Sequence, residues 1–332
     1  MKPSKKTIMK GAGAVAGMSI LAGTVSYMTT SFLVRTAMDR QAPKMIKKIG
    51  ALISGTQESE EFLSRQKEAA NQLAKADTES VTITSRDGVS LAGHWYPCEN
   101  PERIIIAMHG WRSSWCYDFG LVADFLHENH CSVLFAEQRG QHDSGGDYMG
   151  LGVTERFDCQ DWIHWTILNK SPSLPIYLCG VSMGATTVLM AAGLELPENV
   201  HGIMADCAFT SADEIWKHIA SNHLHIPYHL QKRTAGNLYE RKMGVDGFTY
   251  SSVDALRDSK TPVLFIHGTD DHFVPVDMTY RNYCACASPK RLLIVPGADH
   301  GMSYLVDPES YERTVKNFWM EFDGKQVTQE ET

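Results

Sequence analysis

From residue 80 to residue 322, short apolar runs alternate with longer stretches whose apolar residues recur every three or four positions. The runs at 103–108, 132–137, 175–179, 200–205, 262–267 and 291–295 read as buried strands, and 115–129, 153–169, 183–195, 276–286 and 303–322 read as helices. Before them, 81–84 and 89–96 alternate about Asp87-Gly88, which predicts a hairpin. Strand–helix alternation of this kind implies a mostly parallel central sheet with helices on both faces. Residues 207–260 break the rhythm: no strand stands out, and helical stretches fall near 211–222 and 226–242. Inserted after a strand, such a segment is expected above the carboxyl ends of the sheet as a small helical lid.

The amino-terminal part reads differently. Residues 11–34 carry no charge, a length that suits a membrane-spanning helix, although glycine, serine and threonine dilute its hydropathy. Residues 1–34 are therefore expected to act as an uncleaved signal-anchor, with a cleaved signal peptide and a secreted protein as the alternative. Lysines before the span and Arg35, Arg40, Lys44, Lys47 and Lys48 after it leave its orientation open. A signal-anchor favours an extracytoplasmic catalytic domain, whereas eight scattered cysteines favour a reducing compartment. Residues 35–79 read as a charged helical connector, a stalk or a helix docked through Phe62, Leu63 and Leu73, and 323–332 as a polar tail.

Composition removes several classes. A net charge of −8 with no basic stripe beyond the amino terminus excludes a nucleic-acid binder. The cysteines show no metal or disulfide spacing. His218, His223, His225 and His229 in the insertion also fit no common ligand spacing, so neither a metal nor an organic cofactor is expected.

The chemistry concentrates at Gly180-Val181-Ser182-Met183-Gly184, between the strand at 175–179 and the helix that follows. A strand that turns at once into a helix forces its central residue into a strained conformation and crowds the residues two positions away. Glycines there let the turn close and lift the Ser182 hydroxyl clear of the sheet. The free N–H groups of the new helix then face any negative charge that develops beside it. A serine nucleophile needs a base, and the base needs an acid. Two later loops supply them, each after a strand and on the same sheet edge: His267-Gly268-Thr269-Asp270-Asp271-His272-Phe273-Val274-Pro275, and Gly297-Ala298-Asp299-His300.

With His109-Gly110-Trp111, these motifs resemble the α/β-hydrolase superfamily over residues 80–322. They are most similar to bacterial, often membrane-anchored, serine hydrolases related to abhydrolase-domain proteins and distantly to prolyl oligopeptidases. The resemblance implies the α/β-hydrolase fold, Ser182 as nucleophile, His300 as base and Asp271 as acid. Asp270 and Asp206 are the rival acids, and His267 shapes its loop. It also implies an oxyanion hole from the backbone N–H groups of Met183 and Trp111. Trp111 and Trp115 are candidates for the pocket or the core, His109 for a structural turn, and the loop from Arg139 to Gly146 for a structural role. The expected activity is hydrolysis of a small or lipid-like acyl ester. A peptidase or lipid thioesterase of the same fold and a catalytically silent binding protein are the alternatives.

Overall fold

The computed structural model describes residues 23–41 and 60–323. Eight strands among these residues form one sheet in the order β1-β2-β4-β3-β5-β6-β7-β8. They are β1 (Glu79–Thr84), β2 (Ser90–Tyr96), β3 (Arg103–Met108), β4 (Cys131–Ala136), β5 (Ile176–Val181), β6 (Val200–Asp206), β7 (Val263–Gly268) and β8 (Lys290–Val295). β2 runs antiparallel to β1 and to β4, and every other pairing is parallel.

Helices cover both faces because the parallel strands are apolar on both sides. Ile104, Ile106, Leu134 and Leu178 pack under α4 (Glu155–Asn169) and α5 (Met183–Ala191). Their neighbours Ile105, Ala107, Phe135 and Tyr177 pack under α3 (Trp115–Glu128) and the last helix, α11 (Pro308–Asp323). The helix expected over 303–322 is split at Asp307, whose φ of −139° and ψ of 74° leave the helical region. Pro308 explains the break, since a proline disfavours helical geometry in the residue before it.

The strand order reverses between β3 and β5, so the crevice at their carboxyl ends is the topological switch point of the sheet. Above this edge, residues 207–260 form α6 (Ala212–His218), a π turn (Ile219–His223), α7 (Tyr228–Met243) and α8 (Ser252–Arg257). α9 (Val276–Ala285) and the short α10 (Ser303–Val306) complete the later half.

The amino-terminal expectation is corrected. Among the described residues, no helix is long and apolar enough to cross a membrane. The first half of the expected span, 11–22, lies outside the described residues, as do 42–59 and the tail from 324 onward. The second half belongs to α1 (residues 23–38), which packs against the domain: Val34 and Met38 are each 1% exposed and sit in a cluster with Trp216, Ala235 and Tyr239. An uncharged stretch satisfies a protein interior as well as a lipid one, and hydropathy alone does not separate the two. The described part of the connector, α2 (Glu60–Leu73), lies along α3 and buries Leu73, while Leu63 stays exposed.

The loop after β4 is tied down by a buried ion pair. Arg139 donates to Asp158 of α4 at 2.6 Å and to Asp87 of the hairpin turn at 2.7 Å. Removing one member of such a pair strands the other in the core. Arg139→Met is expected to lower the free energy of unfolding by about 3–5 kcal/mol, measured by urea denaturation.

Candidate active site

Ser182 occupies the turn between β5 and α5 with φ 55° and ψ −116°, outside the regions a non-glycine residue favours. The flanking glycines make this possible by close approach. A Cβ on Gly180 would run into the backbone of Gly184, and a Cβ on Gly184 would run into the Met108 carbonyl at the end of β3. The sheet fixes the turn further, because the Ser182 N–H donates to the Asp206 carbonyl at 2.9 Å.

Three side chains from three strand ends meet here. The Ser182 hydroxyl lies 2.8 Å from His300 Nε2, and His300 Nδ1 lies 2.7 Å from Asp271 Oδ2. The other Asp271 oxygen accepts the N–H groups of Phe273 and Val274 at 2.9 and 2.7 Å. His267 Nε2 stands 3.0 Å from Asp271 Oδ2, and its Nδ1 accepts the Thr279 hydroxyl at 2.7 Å. Of the rival acids, Asp270 instead accepts its neighbour's hydroxyl, from Thr269 at 2.7 Å. Asp206 accepts the Ser303 hydroxyl at 3.0 Å. Neither reaches His300 by a hydrogen bond.

The electrostatics follow from burial set against pairing. Burial alone would raise the Asp271 carboxyl, but the imidazoles of His300 and His267 outweigh it and hold the group well below the usual carboxylate range. Burial would lower His300, but the Cys207 sulfur and the Asp271 carboxylate hold the imidazole well above its ordinary value. Cys207 is itself pushed up to about 11 by burial and stays a thiol at neutral pH, so Asp271 is the charge that acts on His300 there. The sulfur of Cys207, His300 and Asp271 present donor atoms within 4.8 Å of one another. A soft cation held there would take up the two groups that stand in line with the Ser182 hydroxyl.

The loop after β3 completes the surroundings. His109 is fully buried and pushed down to about 4 by burial. As a neutral ring it donates from Nδ1 to the Gly110 carbonyl at 2.8 Å and accepts the Gln138 N–H at 3.1 Å. Asp118 of α3 accepts the Gly110 N–H at 2.6 Å and the Ser113 hydroxyl at 2.5 Å, which fixes the loop from below. A Cβ on Gly110 would stand 3.4 Å from that of Ser182, so the chain passes close beside the serine before reaching Trp111. The Trp111 N–H has no backbone acceptor among the described residues, and Met183 opens α5, where first-turn N–H groups have no helical partner. Trp115 belongs to the core, stacked on His94 and Phe135.

A cavity of about 90 Å³ opens on Ser182. Its walls include Leu33 and Ala37 of α1, Trp111, Trp216 and Ile219 of the insertion, and Phe273; among the described residues no charged side chain lines it. The insertion's histidines lie elsewhere. The π turn brings His218 and His223 together with Nε2 atoms 3.2 Å apart, and no third side-chain ligand joins them among the described residues.

Sequence reasoning missed Asp118, Ser303, Cys207 and the α1 wall. Asp118 carried a signal, as an acid in the first turn of a helix capped by Ser114. The others depend on contacts across more than seventy residues.

A family described as serine aminopeptidase, S33, matches residues 99–242. An uncharacterised Bacillus subtilis protein, YqkD, is 28% identical over 252 residues, covering 76% of this chain and 81% of its own length. The uncharacterised YfhR of Escherichia coli K12 is 27% identical, with 67% and 73% covered. Among solved structures, the Pyrococcus furiosus esterase Pf2001 superposes with a TM-score of 0.61 at 24% identity, covering 76% of this chain and 94% of that one. Est1E from Butyrivibrio proteoclasticus gives 0.57 at 19%, covering 74% and 99%.

One consequence concerns Asp206, which burial pushes up to about 6. A carboxyl that keeps its proton longer when folded than when unfolded makes stability fall as pH rises between the two values. Wild type is expected to lose roughly 2 kcal/mol between pH 4 and 6 relative to Asp206→Asn, read from denaturation curves across that range.

Sheet order, the strained serine turn and these likenesses together identify an α/β-hydrolase fold, and they support a hydrolase.

Proposed function

We propose that this chain is a serine esterase that hydrolyses esters of uncharged, apolar carboxylic acids through an acyl-enzyme. The observation that carries the reading is the 2.8 Å contact from the Ser182 hydroxyl to His300 Nε2, made where the apolar cavity opens on that serine. Residues 80–322 form the catalytic domain in this reading, with 207–260 as its lid.

Ser182 attacks the ester carbonyl and His300 takes its proton. Asp271 keeps the second imidazole proton on Nδ1 and stabilises the imidazolium that forms. The Met183 and Trp111 N–H groups donate hydrogen bonds to the negatively charged tetrahedral oxygen, each contributing about 3 kcal/mol to transition-state stabilisation. His300 then returns the proton to the leaving alcohol, and water repeats the cycle on the acyl-enzyme. The walls argue about substrate. An aminopeptidase holds a free α-ammonium group, for which an acidic partner is the natural anchor, and the described lining has none. A polar acyl group would leave its hydrogen bonds unmade there, at about 1–3 kcal/mol for each buried group.

With the full chain, Ser182→Ala is expected to abolish fluorophosphonate labelling and to lower kcat/KM for p-nitrophenyl butyrate by at least about a thousandfold. Turnover retained in that variant would overturn the assignment. So would aminoacyl p-nitroanilides or acyl thioesters being cleaved better than the matched esters. Absence of labelling and turnover in folded wild type would point to a binding role.

The pH profile gives a separate check. His300 acts as a base only when neutral, and its value is raised, so activity is lost as pH falls through that value. The acid limb of kcat/KM should have its midpoint above the ordinary histidine value of about 6.5. Asp271→Asn should move the limb to lower pH while reducing the rate.

A further inference from the structure

The cavity wall supplied by α1 comes from a segment about 145 residues before the serine. Leu33 and Ala37 stand four apart on one helix face, toward the cavity. Val34 and Met38 turn into the cluster shared with α6 and α7. Thr36 also borders the cavity, but its hydroxyl is spent on the Phe32 carbonyl at 2.9 Å.

The helix is held firmly at its carboxyl end. Arg112 donates from Nη2 to the Thr36 and Asp39 carbonyls at 2.9 and 2.5 Å, and from Nη1 to the Arg40 carbonyl at 3.3 Å. Terminal carbonyls such as these have no partner within a helix, and a cation there also meets the negative end of the helix dipole. The Trp111 indole donates to the Ala37 carbonyl at 2.8 Å. Past the helix, the Met149 N–H donates to the Met38 carbonyl at 2.7 Å, and Lys242 of α7 pairs with Asp39 at 2.7 Å. Three parts of the site therefore grip α1: the loop that carries the Trp111 N–H, the loop after β4, and the insertion.

We propose that α1 is a working part of the active site and gauges the acyl chain, with Leu33 and Ala37 as the specificity-determining residues. The inference rests on the esterase reading and adds a substrate class, esters of short acyl groups. Pockets for drug-sized ligands run to about 300–1,000 Å³. A cavity of about 90 Å³ takes far less, and the α1 wall is where it can be lengthened or closed by one side chain. A longer chain would have to push aside a helix fixed at several points rather than a free segment.

The test uses the full chain and p-nitrophenyl acetate, butyrate, hexanoate and octanoate, with kcat/KM taken as ratios to acetate. Wild type should fall off beyond butyrate or hexanoate. Leu33→Ala should raise the octanoate ratio about tenfold or more, and Ala37→Leu should lower the butyrate ratio by a similar factor. Val25→Ala, on a part of α1 that is 55% exposed, should leave the ratios as they are. Melting temperatures confirm folding, and Ala37→Val, one size step milder, carries the test if Ala37→Leu melts early. Ratios within about twofold of wild type in well-folded Leu33 and Ala37 variants would overturn the gauge while leaving the esterase reading intact. Wild type inactive on every ester would instead overturn the esterase reading itself.

Discussion

Everything at the site depends on the backbone at Ser182 being held in a conformation it would not choose. The φ of 55° there is a local cost, of the order of 1–3 kcal/mol for such geometry, met by the packing of the surrounding sheet. Gly184 slides under the last carbonyl of β3, and the Ser182 N–H is taken by the end of β6, so both neighbouring strands clamp β5's exit. Because the sheet is parallel here, that clamp lies on the same edge as the loops after β7 and β8. The serine, the imidazole and the carboxylate meet without any of them lying on a long or unsupported segment.

The polar chain behind the serine shows the same economy. Asp271 lies within hydrogen-bonding reach of two backbone N–H groups, His267 and His300, so a buried carboxylate is compensated several times over. His267 is itself fixed by Thr279 and by the Val274 carbonyl at 2.9 Å, which holds its ring against the Asp271 carboxylate. Asp206, by contrast, has the Ser303 hydroxyl as its hydrogen-bond donor, and burial raises its value. Two carboxyls at neighbouring strand ends are thus driven in opposite directions: burial prevails at Asp206, and the two imidazoles prevail over burial at Asp271, the one that reaches His300.

Much of this was legible along the chain because it is local. Strand periodicity, the Asp87-Gly88 turn and the glycines about Ser182 each follow from a few adjacent residues, and the fold agrees with them closely. Choosing Asp271 over Asp270 needed the resemblance, since adjacent residues on a loop share every sequence property except direction. The π turn that aligns His218 with His223 was hidden because helical spacing predicts contacts three or four residues apart, not five. Asp118 and Ser303 act through hydrogen bonds to Gly110 and Asp206, which no periodicity encodes.

The misreading of the amino-terminal stretch has a more general cause. Residues 23–38 lack charge until Arg35 and carry four threonines, two serines and Ala37 among larger apolar residues. A lipid-facing helix would gain from uniform bulk, whereas a helix set against a domain needs a face of mixed size that can interlock. Thr30 is fully buried and returns its hydroxyl to the Ser26 carbonyl at 2.8 Å, the internal satisfaction that a dry protein interface requires. The last turn then meets Arg112, so the charges that mark the end of the uncharged run also mark where the helix is fastened to the loop beside Ser182. The same composition that weakens the case for a span suits a close-packed wall.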